Sequence, residues 1–208
     1  MKMATASTMI TTINEYDSFI RPYEAVIREI TLRLEVLNTD FKGRSPIHNI
    51  QSRVKTPESI CAKLERRGHE ISLDAARDYL TDIAGVRVIC YYTRDVYTVV
   101  EALHGMSDLD FPRESDYIKS PKPSGYRSYH MITVVPVHGS GGVEYYPAEI
   151  QLRTLCMDAW AGMEHQIRYK QPCKPDAVTS ELRRYAELMN GMEASMALLY
   201  DRLHPEDK

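Results

Sequence analysis

The residues of this 208-residue chain that could do chemistry fall in four places. Asp82 precedes Ile83-Ala84-Gly85 and then an apolar run. A carboxylate at the mouth of a buried strand can hold Mg²⁺ against substrate phosphates, although a turn or cap aspartate leaves the same trace. Glu149 sits in Ala148-Glu149-Ile150-Gln151-Leu152-Arg153. In a strand, Ile150 and Leu152 face one way, and Glu149, Gln151 and Arg153 the other. An acid, an amide and a guanidinium on one sheet face suit an active-site floor or a plain solvated face. Arg53, Lys55, Lys63, Arg66 and Arg67 are opposed locally by Glu58 and Glu65. Lys63, Arg66 and Arg67 lie near one face of a helical turn and could anchor a polyphosphate; an isolated pattern of this kind is more often a solvated helix face. The loop Lys119–His130 carries Lys122, Arg127 and His130, all able to meet phosphates. Gly125 there permits a close backbone approach. Tyr126 offers a ring on which a base could stack, worth ~1–3 kcal/mol at nucleic-acid sites. A Pro-Gly surface loop with incidental charges is the competing reading.

These residues need elements to hold them. Ile13, Tyr16, Ile20, Tyr23, Ile27, Ile30, Leu34 and Leu37 step by three and four, which predicts a helix over about 12–40. Pro22 predicts a kink, or a start after a separate first turn. Leu182, Tyr185, Met189, Met192, Met196, Leu199 and Leu203 repeat the pattern over about 177–204. The two stripes invite packing on each other, slightly favoured by pattern, or on a second subunit. Between them, Thr56-Pro57-Glu58 opens a helix that Gly68 closes. A short helix near Leu73–Leu80 precedes a buried strand at Val86–Tyr92. Thr93 is expected to cap a helix with Val96, Val99, Val100 and Leu103 inward. Asp116–Lys119 reads as a short strand. Tyr129–Val137 and Val143–Leu152 read as long strands joined through His138–Gly142. Asp158–Lys170 reads as a helix with Trp160, Met163 and Ile167 inward. The order fits an α+β fold, a mixed β-sheet flanked by helices.

Hydrophobic residues at 43% and charged residues at 26% mark a soluble globular chain rather than a disordered one. A net charge of −3 argues against a generally basic nucleic-acid coat but leaves room for a local basic pocket. No apolar run could span a bilayer, and the N-terminus lacks the apolar segment of a signal peptide. Cys61, Cys90, Cys156 and Cys173 form no CxxC pair, which argues against zinc or a disulfide framework. Four reduced cysteines fit a cytoplasmic protein.

RVKTPESICAKLERRG, DIAGVRVIC, DYIKSPKPSGYRSYH and AEIQLRTLCMDAWAGMEHQIRYK together resemble the small alarmone synthetases, the stand-alone RelA/SpoT-homologue synthetases. The resemblance runs from about Arg53 to Lys170, with four motifs in the family's order. It implies one (p)ppGpp synthetase domain over 1–208. The nucleotidyltransferase-like core would cover about 44–172, between N- and C-terminal helical extensions. It also implies transfer of pyrophosphate from ATP to the 3′-OH of GTP or GDP, with GMP as a further candidate acceptor, and with Mg²⁺. Long relatives add a metal-dependent hydrolase with a His-Asp pair; no His-Asp dipeptide occurs here, so synthesis without hydrolysis is expected.

By resemblance, Arg53 and Arg87 sandwich adenine, and Lys55, Ser59, Lys63 and Arg66 meet the ATP phosphates. Asp82 and Glu149 are implied as the catalytic acids and metal ligands, Asp82 holding Mg²⁺ and Glu149 sharing the metal, taking the 3′-OH proton, or both. Tyr126 stacks on guanine; Lys122 and His130 approach the acceptor's phosphates, Gln151 its ribose or base, and Arg127 belongs to the same motif. Two positions depart from many relatives. Ser115 stands for a basic residue, and Asp158 for an asparagine at the guanine edge, where an acceptor-only carboxylate still suits N1–H and N2–H₂. A cap for the neighbouring helix is the competing role of Asp158. The resemblance further implies a homo-oligomer, most simply a tetramer, with Ile20, Ile27, Leu188 and Met192 in its contacts. A (p)ppGpp or single-stranded-RNA regulator is a further expected partner. The alternatives are a relative that pyrophosphorylates the 3′ end of tRNA, and an inactive nucleotide- or RNA-binding regulator. The charge argues modestly against the first, and retention of Asp82 and Glu149 against the second.

Overall fold

The computed structural model describes residues 13–168 and 176–205. The start of the N-terminal extension at residue 12, Cys173, and the end of the helix expected to reach Lys170 lie outside them. Helix α1 spans Ile13–Asp40 and runs on through Pro22, so Pro22 does not mark its start. The missing N–H of Pro22 removes one intrahelical hydrogen bond, which the long apolar face offsets. Phe19, Tyr23, Val26, Ile30 and Leu34 are buried on that face.

A five-stranded sheet follows: β1 (Ile47–Val54), β2 (Ala84–Cys90), β3 (Asp110–Asp116), β4 (Tyr129–Gly139) and β5 (Gly142–Thr154), ordered β1-β2-β5-β4-β3. β2 and β5 pair in parallel and the other neighbours antiparallel. One face, with Val86, Val88, Ile150, Leu152 and Met131, is buried with α1 and α4 (Thr93–His104) in a common core. α2 (Pro57–Arg67) begins as expected, with Thr56 Oγ1 accepting from Ser59 N at 3.4 Å, and ends at Gly68 with φ +73°. α3 spans Leu73–Tyr79. α5 (Leu155–Arg168) leaves β5 directly, and α6 (Asp176–Leu203) packs on it.

Several expectations change. β1 was not foreseen: it is an edge strand exposed along most of its length, so it lacks an apolar alternation. The strand expected at Asp116–Lys119 instead ends at Asp116. Asp116 Oδ1 accepts from the N–H groups of Ile118 and Lys119, both at 3.0 Å, and turns the chain. Thr93 is the first helical residue of α4 rather than its cap; Asp95 accepts from Tyr92 N instead. Trp160 is buried, its indole donating to Leu182 O at 3.0 Å, but Met163 and Ile167 are exposed. The α6 stripe does not close against α1. Leu182 and Ala186 are buried, whereas Tyr185, Met192, Met196, Leu199 and Leu203 lie 47–65% exposed.

Candidate active site

The sheet register sets the polar face opposite α1 and α4 in two rows. Gln51, Arg87, Gln151, His130 and Ser115 stand side by side from β1 to β3. The adjacent row is Arg53, Gly85, Glu149, Ile132 and Arg113. Side chains two residues apart share a sheet face, so both rows point into the same space. The polar alternation around Glu149 thus belongs to a site floor.

Two clefts open on this floor. One, of about 620 Å³, is lined by Gln51, Ser52, Arg53, Lys55, Asp82, Gly85, Arg87, Glu149 and Gln151. The other, of about 570 Å³, is lined by Arg113, Ser115, Tyr117, His130, Ile132 and Glu149. Glu149 belongs to both.

In the first cleft Asp82 Oδ2 accepts from Lys63 Nζ at 2.6 Å and lies 2.9 Å from Lys55 Nζ. Burial opposes ionisation of Asp82, but the two ammonium groups outweigh it and hold its pKa below the ordinary carboxylate value. Its other oxygen, Oδ1, is buried and has no hydrogen-bond partner. An unused oxygen on a carboxylate that shares its cleft with Glu149 suits a divalent cation held by one or two carboxylates and substrate phosphates. Among the described residues no cluster of three or more metal-binding side chains forms, so substrate oxygens would complete such a site.

Around the second cleft the hydrogen bonds close a ring. Arg153 Nη2 donates to Tyr126 Oη at 2.8 Å and to Gln151 Oε1 at 3.1 Å. Tyr126 Oη meets His130 Nε2 at 2.9 Å, and His130 Nδ1 meets Glu149 Oε1 at 3.0 Å. Gln151 Nε2 donates to Glu149 Oε2 at 2.7 Å. The ionised Glu149 carboxylate can only accept, so His130 Nδ1 donates to it; a singly protonated imidazole then leaves Nε2 to accept from the Tyr126 hydroxyl. Burial raises the pKa of Glu149, and the nearby charge of Asp82 adds to that. His130 and Gln151 more than cancel both, leaving a net depression.

Asp158 Oδ1 lies 3.2 Å from Nη1 of both Arg87 and Arg153. It is not the cap of α5: Thr154 Oγ1 takes that place, accepting from Met157 N at 3.2 Å. Lys122 Nζ stands 4.5 Å from the Tyr117 ring centre and 5.0 Å from that of Tyr126. Arg127 lines neither cleft and donates to Asn190 of α6 and to Ile118 O. Gly125, with φ +90°, approaches α6 rather than a ligand, and a Cβ there would lie 2.7 Å from Ala186 Cβ. Ser59 and Arg66 are exposed and do not line the first cleft; the Ser59 hydroxyl accepts from Thr56.

Arg153, 6% exposed, was given a place on the polar face of β5 but no role, and Tyr117 and Gln51 were not singled out by sequence reasoning. Arg153 was legible only as the third polar residue of the β5 alternation, and Tyr117 as the aromatic beside Asp116. Gln51 shared the invisibility of β1.

A family model described as "Region found in RelA / SpoT proteins" matches residues 52–174. GTP pyrophosphokinase YwaC of Bacillus subtilis is 38% identical over 190 residues, 89% of this chain and 90% of that protein. GTP pyrophosphokinase YjbM of the same organism is 33% identical over 190 residues, 88% and 87% of the two chains. The crystal structure of the small alarmone synthetase 1 from Bacillus subtilis, bound to its product pppGpp, matches with a TM-score of 0.81 at 32% identity. That match covers 90% of this chain and 97% of the other. A mixed sheet with its acids on the open face is common to sequence and fold here, and the chain belongs to the RelA/SpoT synthetase family, among its small alarmone synthetases.

Proposed function

We propose that this protein transfers the β,γ-pyrophosphate of ATP to the 3′-OH of GTP or GDP, releasing AMP and forming (p)ppGpp. The observation that carries this reading is Glu149, which lines both clefts and so stands where donor and acceptor meet. In the donor cleft, Lys55 and Lys63 turn from Asp82 to the entering phosphates, and Arg53 and Arg87 flank the adenine with planar guanidinium groups. Beside the acceptor cleft, Tyr126, bonded to His130 of its lining, stacks on guanine, and Lys122, over the Tyr117 and Tyr126 rings, meets phosphate. Glu149, ionised and held by His130 and Gln151, takes the proton of the 3′-OH. The O3′–Pβ bond forms as the bond from Pβ to the AMP oxygen breaks, and the lysines meet the spreading charge. Asp82 and Glu149 would hold Mg²⁺, which when bound neutralises charge on the transferred phosphates. Residues 44–172 act as the synthetase core, with the two terminal helices as arms of the same domain.

The exposed apolar stripe of α6 supports a closed homo-oligomer, proposed as a tetramer. Leu188 and Met192 are available for it, whereas Ile27 is 9% exposed and already spent in the core, and Ile20 packs there too. The free thiols of Cys61, Cys90 and Cys156 suit the reducing cytoplasm. The deciding experiment incubates purified protein with γ-labelled ATP, Mg²⁺ and GTP, GDP, GMP or tRNA. Label on a guanosine nucleotide is expected. Label on tRNA would replace this reading by tRNA pyrophosphorylation, and binding without transfer by an inactive regulator.

A further inference from the structure

One oxygen of Asp82 carries two ammonium groups and the other none. Lys63 Nζ lies 2.6 Å and Lys55 Nζ 2.9 Å from Oδ2, and all three side chains are only 13–19% exposed. Oδ1 is buried without a hydrogen-bond partner. The two lysines are held differently. Lys55 is fixed through its backbone: its N–H donates to Ile83 O at 2.8 Å, and its carbonyl accepts from Tyr16 Oη at 2.7 Å. Lys63 reaches Asp82 from α2, outside the lining of the first cleft, by the end of a flexible aliphatic stem. An ammonium so placed competes with a metal ion for the same carboxylate. Around this pair, Arg53, Lys55, Lys63 and Arg87 outnumber Asp82 and Glu149. A bare dication would enter against that excess, which a partly buried site screens little, whereas an ATP–metal complex is a net anion.

Resting on the pyrophosphate-transfer reading, we infer that Lys63 is an exchangeable counter-ion that keeps a bare divalent cation off Asp82, so that the metal enters only together with ATP. Before the nucleotide arrives, the Lys63 ammonium neutralises the carboxylate that a metal would use. The arriving phosphates draw that ammonium to themselves and add oxygens to those of the two acids. Lys63 is the partner that leaves, because its contact depends on its stem alone, whereas the backbone of Lys55 is pinned on both sides. Metal and nucleotide then promote each other's binding to the same degree, as linkage requires. A lysine that served the phosphates alone would leave the affinity for bare metal untouched, and that difference is measurable without turnover.

The test compares wild type, Lys63→Met, Lys63→Arg and Lys63→Met/Asp82→Asn. Bare Mn²⁺, a paramagnetic substitute for Mg²⁺, is titrated onto each protein through the resonance of the free ion. The preformed Mn²⁺ complex of α,β-methylene ATP, in which the bond broken by transfer is replaced, is titrated by calorimetry. Wild type is expected to bind the complex at least about 10-fold more tightly than the bare ion. Lys63→Met should bind bare Mn²⁺ about 10-fold more tightly than wild type, and the complex about 10-fold more weakly. Those shifts have opposite signs, which a general loss of structure does not produce. Lys63→Arg keeps the charge and should hold bare Mn²⁺ within about threefold of wild type, and Asp82→Asn should remove the gain. Unchanged affinity for bare Mn²⁺ in Lys63→Met overturns the inference and leaves Lys63 a phosphate contact only. So does a wild type that binds the bare ion as tightly as the complex, or that does not bind the complex. If wild type takes the complex yet transfers to no guanosine acceptor, the pyrophosphate-transfer reading fails, while the two titrations still decide the counter-ion role of Lys63. Matching thermal unfolding of all four proteins checks that the substitutions act on binding and not on the fold.

Discussion

Glu149 is held through both of its oxygens, Oε1 by His130 and Oε2 by Gln151, and this defines what its replacement does. Glu149→Gln keeps the shape but loses the charge, and with it the proton acceptor and the metal ligand proposed above. The expected result is a fall in kcat of about 10²- to 10⁴-fold, with nucleotide affinity retained in equilibrium binding; full turnover would remove Glu149 from the mechanism. Asp158 carries a different expectation. Its carboxylate joins Arg87, on the donor side, to Arg153, in the acceptor ring. Replacement by alanine leaves the largely buried Arg153 without its anion and Arg87 without its anchor. KM should therefore rise for ATP as well as for GTP or GDP, each by roughly tenfold, measured with the other nucleotide saturating. A rise confined to GTP would mean that Asp158 serves the guanine edge alone.

The elements carry the site through a few contacts between helix and loop. The turn Lys122–Gly125 is closed by Gly125 N donating to Lys122 O at 2.8 Å, and Gly125 adopts a positive φ against α6. Tyr126 follows at once and packs on the cluster of Trp160, Leu182 and Ala186. Gly125→Ala meets a left-handed backbone and a 2.7 Å approach to Ala186 Cβ. It should destabilise the protein by ~1–3 kcal/mol and displace Tyr126, raising KM for the guanosine nucleotide more than for ATP. Unchanged thermal unfolding and kinetics in this variant would deny the loop its dependence on α6. Glu193, buried on α6, fixes the same helix further along. It accepts from Thr93 N at 3.0 Å and from the hydroxyls of Thr93 and Thr154 at 2.7 and 2.5 Å, at the starts of α4 and α5. A carboxylate is well placed at two helix N-termini, where unpaired N–H groups concentrate positive potential.

For the whole molecule, α6 has one face committed and one face open. Leu182, Ala186 and Glu193 are buried, while Tyr185, Leu188, Met192, Met196, Leu199 and Leu203 present an exposed apolar line, about 27 Å long at helical rise. Water contact along such a line is unfavourable, and a second copy is the covering proposed above. The paired substitution Leu188→Glu/Met192→Glu should convert the wild-type oligomer to a smaller species by light scattering, without loss of the folded core. A wild type that is monomeric at micromolar concentration would refute the assembly.

The sequence by itself determined the elements whose side chains alternate or repeat, and the chemistry of the motifs on them. Ile150 and Leu152 buried against Glu149 and Gln151 half-open follow from a two-residue period, and Thr56, Pro57 and Gly68 bound α2 through local hydrogen bonds and backbone preference. Tertiary structure decided what depends on neighbours distant in the chain. β1 takes its form from pairing with β2, not from its own pattern, and Arg127 and Gly125 turn to α6 because that helix lies across the loop. The α6 stripe reads alike whether it meets α1, a second copy or water, because periodicity specifies a face but not its partner. The same limit hid Arg113, which joins the lining of the second cleft only once the register of β3, β4 and β5 sets it in one row with Ile132 and Glu149.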